Sequence, residues 1–134
     1  MEQLATQHEY NNPQEQEALT EAFFNLCSHW NLARQEEASL LGWDYAEKRT
    51  KIDSLRKGKT ILEKDQDKIG RIIDLINIHK SLRVLFPYDR SAVYEWVKIP
   101  RERFGGHSAL DIMISEGRMG IAAIRQYLDH ELTR

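Results

Sequence analysis

Glu36-Glu37-Ala38-Ser39-Leu40-Leu41-Gly42-Trp43-Asp44 is the stretch that decides the fold. Ala38 and Gly42 stand four positions apart with Leu40 and Leu41 between them, the spacing at the centre of a helix-turn-helix. The small side chain at 38 lets two helices approach. Gly42 supplies a positive φ that closes the first helix and turns the chain sharply. Asp44 then accepts from free backbone N–H groups and opens a second helix that runs to about Lys57 and stops at Gly58. On that helix Ile52 and Leu55 point inward. Tyr45, Lys48, Arg49, Lys51 and Ser54 are candidates for a DNA-reading outer face, with Arg56, Lys57 and Lys59 as cations for backbone phosphates. A helical hairpin packed for its own sake is the competing reading of the same residues.

Charge is distributed unevenly around this centre. Residues 48–60 carry six Lys and Arg against Asp53 alone, while residues 1–33 carry five carboxylates and no Lys or Arg. The whole chain is close to neutral, with a net charge of −2. A local basic stretch on a mildly acidic chain suits a phosphate-binding surface, and cations gathered at a helix C-terminus produce the same pattern.

Working outward, the predicted elements are all helical. Met1 to Gln16 is rich in Gln, Glu and Asn and reads as a loose tail. Leu19, Ala22, Phe23, Leu26 and Trp30 share one face of a first helix over 17–30. Arg34 to Leu41 forms the short helix that ends at Gly42. Ile69, Ile72, Ile73 and Ile76 line a longer helix from about Glu63 to before Pro87. Leu75, Leu82, Leu85 and Phe86 widen its stripe, as for a helix packed on two sides or against a dimer partner.

Beyond Pro87, Ala92, Val93, Trp96 and Val97 form a short helix stopped by Pro100. Phe104-Gly105-Gly106 makes a loop, and Ser108 with Asp111 reads as a capping box opening a helix that carries Leu110 and Met113 inward. Gly117 and Gly120 are expected to break that helix. A last one runs from near Gly120 to Leu132, with Ile121, Ile124 and Leu128 on one face. The resulting division is a tail (1–16), a helix-turn-helix and dimerisation segment (17–86) and a small helical domain (87–134).

At 134 residues, 41% hydrophobic and 30% charged, the chain is one compact domain or two very small ones. It has no apolar run of the roughly 18 residues that a membrane helix needs, and its polar start lacks the order of a signal peptide, so a cytoplasmic location without membrane contact is expected. Cys27 is the only cysteine, which excludes an intramolecular disulfide. His8, His29, His79, His107 and His130 fall in no metal-ligand spacing. No phosphate-cradling glycine loop follows a strand. The chain is therefore expected to be no enzyme and to need neither metal nor cofactor.

The segment Trp30-Asn31-Leu32 through Glu36 to Gly42 resembles the opening of the helix-turn-helix in the Xre/MbcA/ParS antitoxins. Trp96, Pro100, Phe104-Gly105-Gly106, Ser108, Leu110-Asp111, Gly117, Gly120-Ile121 and Tyr127-Leu128-Asp129 resemble that family's toxin-binding domain. The pattern departs at Ala33, where the family usually has Ser or Thr, and over Trp43 to Lys57. The resemblance implies an all-helical, dimeric antitoxin of a type II toxin–antitoxin system that represses its own operon. It also implies occlusion of a toxin acting on NAD⁺, commonly a RES-domain enzyme. Trp96, Phe104, Gly105, Gly106, Ser108, Met113, Arg118, Met119, Arg125 and Arg134 are then the expected toxin-binding residues. Read without the family, Gly105-Gly106 leaves backbone N–H groups uncovered beside a helix start, and Phe104, Met113 and Met119 supply adaptable contacts. Equally, Phe104 can fold inward while the glycines only turn the chain. Two other functional classes fit the residues: a stand-alone DNA-binding regulator, and an adaptor that binds protein and no DNA.

Overall fold

The computed structural model describes residues 12–134. Seven α-helices follow in order: α1 (Pro13–His29), α2 (Arg34–Leu40), α3 (Tyr45–Arg56), α4 (Gln66–Leu85), α5 (Arg90–Glu95), α6 (Ala109–Glu116) and α7 (Arg118–Thr133). Single 3-10 turns at Trp96–Lys98 and Glu102–Phe104 lie between α5 and α6, and no strand occurs among the described residues.

α1 begins at Pro13, inside the stretch expected to be a tail. The Asn12 side chain accepts from the Glu15 N–H at 2.8 Å, and proline suits the first helical position because its missing N–H would have no partner there. Residues 1–11 of the expected tail, His8 among them, lie outside the described residues. At α2, Ala33 offers no side-chain acceptor, so only the Glu36 half of a capping box forms, with the Ala33 N–H donating to Glu36 at 2.7 Å.

The turn between α2 and α3 closes as a Schellman motif. Gly42 has φ +80°, its N–H donates to the Ser39 carbonyl at 2.9 Å, and the Trp43 N–H reaches the Ala38 carbonyl at 2.8 Å. The positive φ favours glycine there. A Cβ on Gly42 would stand 2.9 Å from the guanidinium carbon of Arg71, which comes across from α4 and donates to the Leu40 carbonyl at 3.3 Å.

α4 is the central element. Its Ile69, Ile72, Leu75, Ile78 and Leu82 are buried, with α1 packed on one side and α7 on another, which accounts for the wide apolar stripe within a single chain. The core runs unbroken from Leu19 in α1 to Leu128 in α7, so the segments on either side of Pro87 share it. Two ion pairs reinforce the α4–α7 contact: Arg125 with Asp74 at 2.6 Å and Arg118 with Asp67 at 3.3 Å.

Gly117, at φ +66°, ends α6, but Gly120 is no breaker and sits buried inside α7. A Cβ at 120 would approach the Ile112 carbonyl oxygen to 2.4 Å, so the missing side chain sets how closely α6 and α7 pack.

One polar feature crosses the helices at the other end of the core. The His29 and Tyr94 rings stack with centroids 4.7 Å apart, and His79 lies parallel to both at 6.1–6.2 Å. Its Nδ1 is buried with no hydrogen-bond partner among the described residues. Burial, then the nearby His29 and Arg83, push the His79 imidazole below the ordinary histidine range. The unfolded chain thus takes up this proton at higher pH than the folded one. The His79 contribution is fully present above the unfolded value of about 6.5 and is lost as pH falls from there toward the folded value. Thermal melts from mildly alkaline to mildly acidic pH should show a falling midpoint, and His79→Gln should flatten that dependence.

Candidate functional site

Two surfaces carry the candidate residues. The first is α3 with the turn before it. Asp44 caps the helix by accepting from the Ala46 N–H at 3.1 Å, and Lys48 departs from helical geometry with φ −112° and ψ 16°. Arg49, Lys57 and Lys59 are exposed, and Ser54 is half-buried. Arg49 lies 5.5 Å from the Tyr45 ring. Lys48 and Lys51 each stand 5.9 Å from the Trp43 ring, and Lys51 also pairs with Glu63 at 3.5 Å.

Arg56 does not belong to this outer set. Its guanidinium pairs through Nη2 and Nε with the carboxylate of Glu37, which is fully buried on α2. Hydrogen bonding to Glu37 raises the Arg56 pKa against the opposing effect of burial, so the charge is fixed. The expectation that Arg56 grips phosphate is corrected: it closes the α2–α3 hairpin. Lys68 escaped sequence reading. It lies on α4 and reaches 5.7 Å from the Trp43 ring, a juxtaposition made only by the fold.

The second surface lies between α5 and α7. Trp96 is buried, Phe104 meets it edge-on at 6.1 Å, and Tyr127 packs on both. Arg101 covers the Trp96 ring at 4.4 Å, and Arg103 donates to the Tyr127 hydroxyl at 3.0 Å. Gly105 and Gly106 follow with φ +66° and +88°, both exposed. Ser108 and Asp111 then close a reciprocal capping box at 3.0 and 3.1 Å and start α6.

Residues 81–131 match the family model described as the antitoxin Xre/MbcA/ParS C-terminal toxin-binding domain. The chain is also 33% identical over 109 residues to an uncharacterised protein, y4oB, of Sinorhizobium fredii (strain NBRC 101917 / NGR234), an alignment covering 81% of this chain and 80% of the relative. The chain belongs to the Xre/MbcA/ParS antitoxin family. Its partner is a cognate toxin, bound through the C-terminal domain.

The antitoxin separates the expected toxin-binding residues into builders and presenters. Met113 is completely buried, as its inward place on α6 predicts, so its expected role as an adaptable contact is corrected. Trp96 and Ser108 are likewise interior, one as the ring under Phe104 and Arg101, the other as a helix cap. Phe104 is half-buried in the aromatic cluster. Gly105, Gly106, Arg134 and Met119, the last 79% exposed, face outward. Arg118 and Arg125 face α4 through Asp67 and Asp74. Burial alone would push the Asp67 carboxyl up, but hydrogen bonds and charge from Lys68 and Arg71 outweigh it, and the net displacement is downward. Arg101 and Arg103 are the residues that sequence reading missed. Their position in the loop carried no periodic signal. No helix among the described residues is long and apolar enough to cross a membrane.

Proposed function

We propose that this antitoxin neutralises a RES-type, NAD⁺-consuming toxin by covering the entrance to its active site. In this reading a homodimer also sets its two helix-turn-helix units on operator DNA and represses its own operon. The observation that carries the toxin half is the division of labour within residues 81–131. Trp96, Met113, Ile121 and Leu128 are spent on the chain's own core, while the Gly105-Gly106 turn and the 79% exposed Met119 stay outside it. An exposed, flexible thioether suits a surface that adapts to another protein. Blocking a substrate by burial needs no chemistry from the antitoxin, only a stable interface of about 1,200–2,000 Å².

The DNA half is supported by the tight Gly42 turn and by the exposed Arg49, Lys57 and Lys59 on and after α3. Lys48, Lys51, Tyr45 and Ser54 complete that surface as proposed.

Truncation after Pro87 is a poor test, because α7 supplies part of the core around α4. Point variants of the intact chain are better. Co-expressed with the toxin encoded beside it, the intact chain should restore growth and NAD⁺, and Met119→Glu should weaken that rescue without changing the fold. On promoter duplexes, Arg49→Gln and Lys57→Gln should each lower affinity and reduce the salt slope by about one. Failure of rescue with operator binding retained would leave a stand-alone regulator in place of an antitoxin of this toxin.

A further inference from the structure

Five arginines of this protein are neither fully exposed nor fully buried: Arg56, Arg71, Arg101, Arg118 and Arg125. Four of them hold a carboxylate, Arg56 with Glu37, Arg71 and Arg118 with Asp67, and Arg125 with Asp74. Arg101 pairs with no carboxylate among the described residues. Its Nη2 donates to the Trp96 carbonyl at 3.2 Å, and its Nε is buried with no acceptor among those residues. Burial pushes this guanidinium below its usual range, the reverse of what the Glu37 partner does for Arg56.

The geometry around it is fixed in advance. The Arg101 N–H donates to the His107 carbonyl at 3.1 Å, and the Arg101 carbonyl accepts from Phe104 at 3.0 Å and Gly106 at 2.9 Å. These bonds close residues 101–107 into one turn that contains the exposed Gly105-Gly106. The guanidinium carbon stands over the Trp96 ring, 4.4 Å from its centroid, which limits the side chain's rotamers. A planar fork held this way loses little freedom when it meets a matching planar anion, so nearly all of the new interaction counts toward affinity.

We propose that Arg101 is a recognition cation for the toxin, held on Trp96 to receive a carboxylate of the partner in a bidentate pair. This rests on the reading of residues 81–131 as the toxin-binding surface. A carboxylate fits better than a neutral acceptor because a desolvated guanidinium gains most from an anionic partner with two oxygens. Arg101 is then a residue whose interactions are completed only in the complex. In the free antitoxin it has only the Trp96 carbonyl and ring as partners, and its charge is left unpaired among the described residues.

The test uses the full-length antitoxin and the toxin encoded beside it, with Arg101→Met and Arg101→Lys. Methionine keeps apolar contact with Trp96 and removes the charge. The expected result is an unchanged or higher thermal midpoint of free Arg101→Met, with toxin affinity lower by about 30-fold or more, chiefly through faster dissociation. Lysine should restore little, since it keeps the charge but lacks the fork. Replacing toxin surface carboxylates by amides, one at a time, should find one whose effect is absent in the Arg101→Met background. Affinity within about twofold of wild type in Arg101→Met would overturn the proposal, as would a weakened complex explained by a lowered midpoint of the free chain. Absence of binding by the wild-type antitoxin would instead refute the toxin assignment, and the proposal with it.

Discussion

Arg56→Ala should destabilise the antitoxin by about 3–5 kcal/mol, because it strands the Glu37 carboxylate in the core. Glu37 has no exposed surface, and Arg56 is the partner that neutralises it. An unpaired buried carboxylate costs far more than the loss of a surface cation, whose contribution is about 0–1 kcal/mol. Urea unfolding measures the difference. Replacing both partners by apolar residues, Glu37→Leu with Arg56→Met, should recover most of the loss, since no charge then remains to be paired. If Arg56→Ala instead left stability within about 0.5 kcal/mol of wild type, the pair would not hold the α2–α3 hairpin. The result also bears on DNA binding. A drop in operator affinity for Arg56→Ala would reflect a loosened hairpin, whereas the same drop for Arg49→Gln would reflect a lost phosphate contact.

Gly120→Ala should destabilise by about 2 kcal/mol net, the largest effect expected from adding a single methyl group. Alanine gains about 1 kcal/mol over glycine in helix propensity. Against this, the new Cβ meets the Ile112 carbonyl oxygen at 2.4 Å, and backbone cannot swing aside. Overpacking of this kind costs about 1–3 kcal/mol, and so close a contact belongs at or above the upper end. Gly70→Ala is the control. Its Cβ would meet the Arg118 guanidinium at 2.1 Å, nominally closer, but that is the mobile end of a long side chain. Arg118 can leave Asp67 at little cost, and the helix gain offsets it, so stability should stay near wild type. Because α6 and α7 form much of the matched domain, Gly120→Ala should also weaken toxin binding, while Gly70→Ala should not. Equal losses in the two variants would mean that close packing at α6–α7 is not what position 120 secures.

Much of this protein was legible before any fold was seen. Periodic apolar residues placed the helices, because burial of one face is a local consequence of 3.6 residues per turn. Gly42, Gly58, Asp44 and the Ser108–Asp111 box marked helix ends, because capping and positive φ act within a few residues. The errors share a cause. Pro13 starts a helix within polar surroundings that by themselves read as a tail, with Asn12 as its cap. Gly120 reads as a breaker in sequence, because only the neighbouring helix shows why a glycine is wanted inside α7.

The site residues divide the same way. Residue type and spacing alone determined that the described residues are all-helical, that a tight turn joins α2 to α3, and which stretches resemble the antitoxin family. Tertiary structure decided what each charged or sulfur-bearing side chain is for. Arg56 looks like a phosphate-gripping cation in sequence and is held half-buried by Glu37, while Met113 is spent wholly on the core. Arg101 looks ordinary and is held half-buried on Trp96 without a carboxylate among the described residues. A helical pattern is written into neighbours three and four positions apart. The partner of a charge is set by residues 19 or 51 positions away, as in Arg56–Glu37 and Arg125–Asp74, which only packing brings within reach.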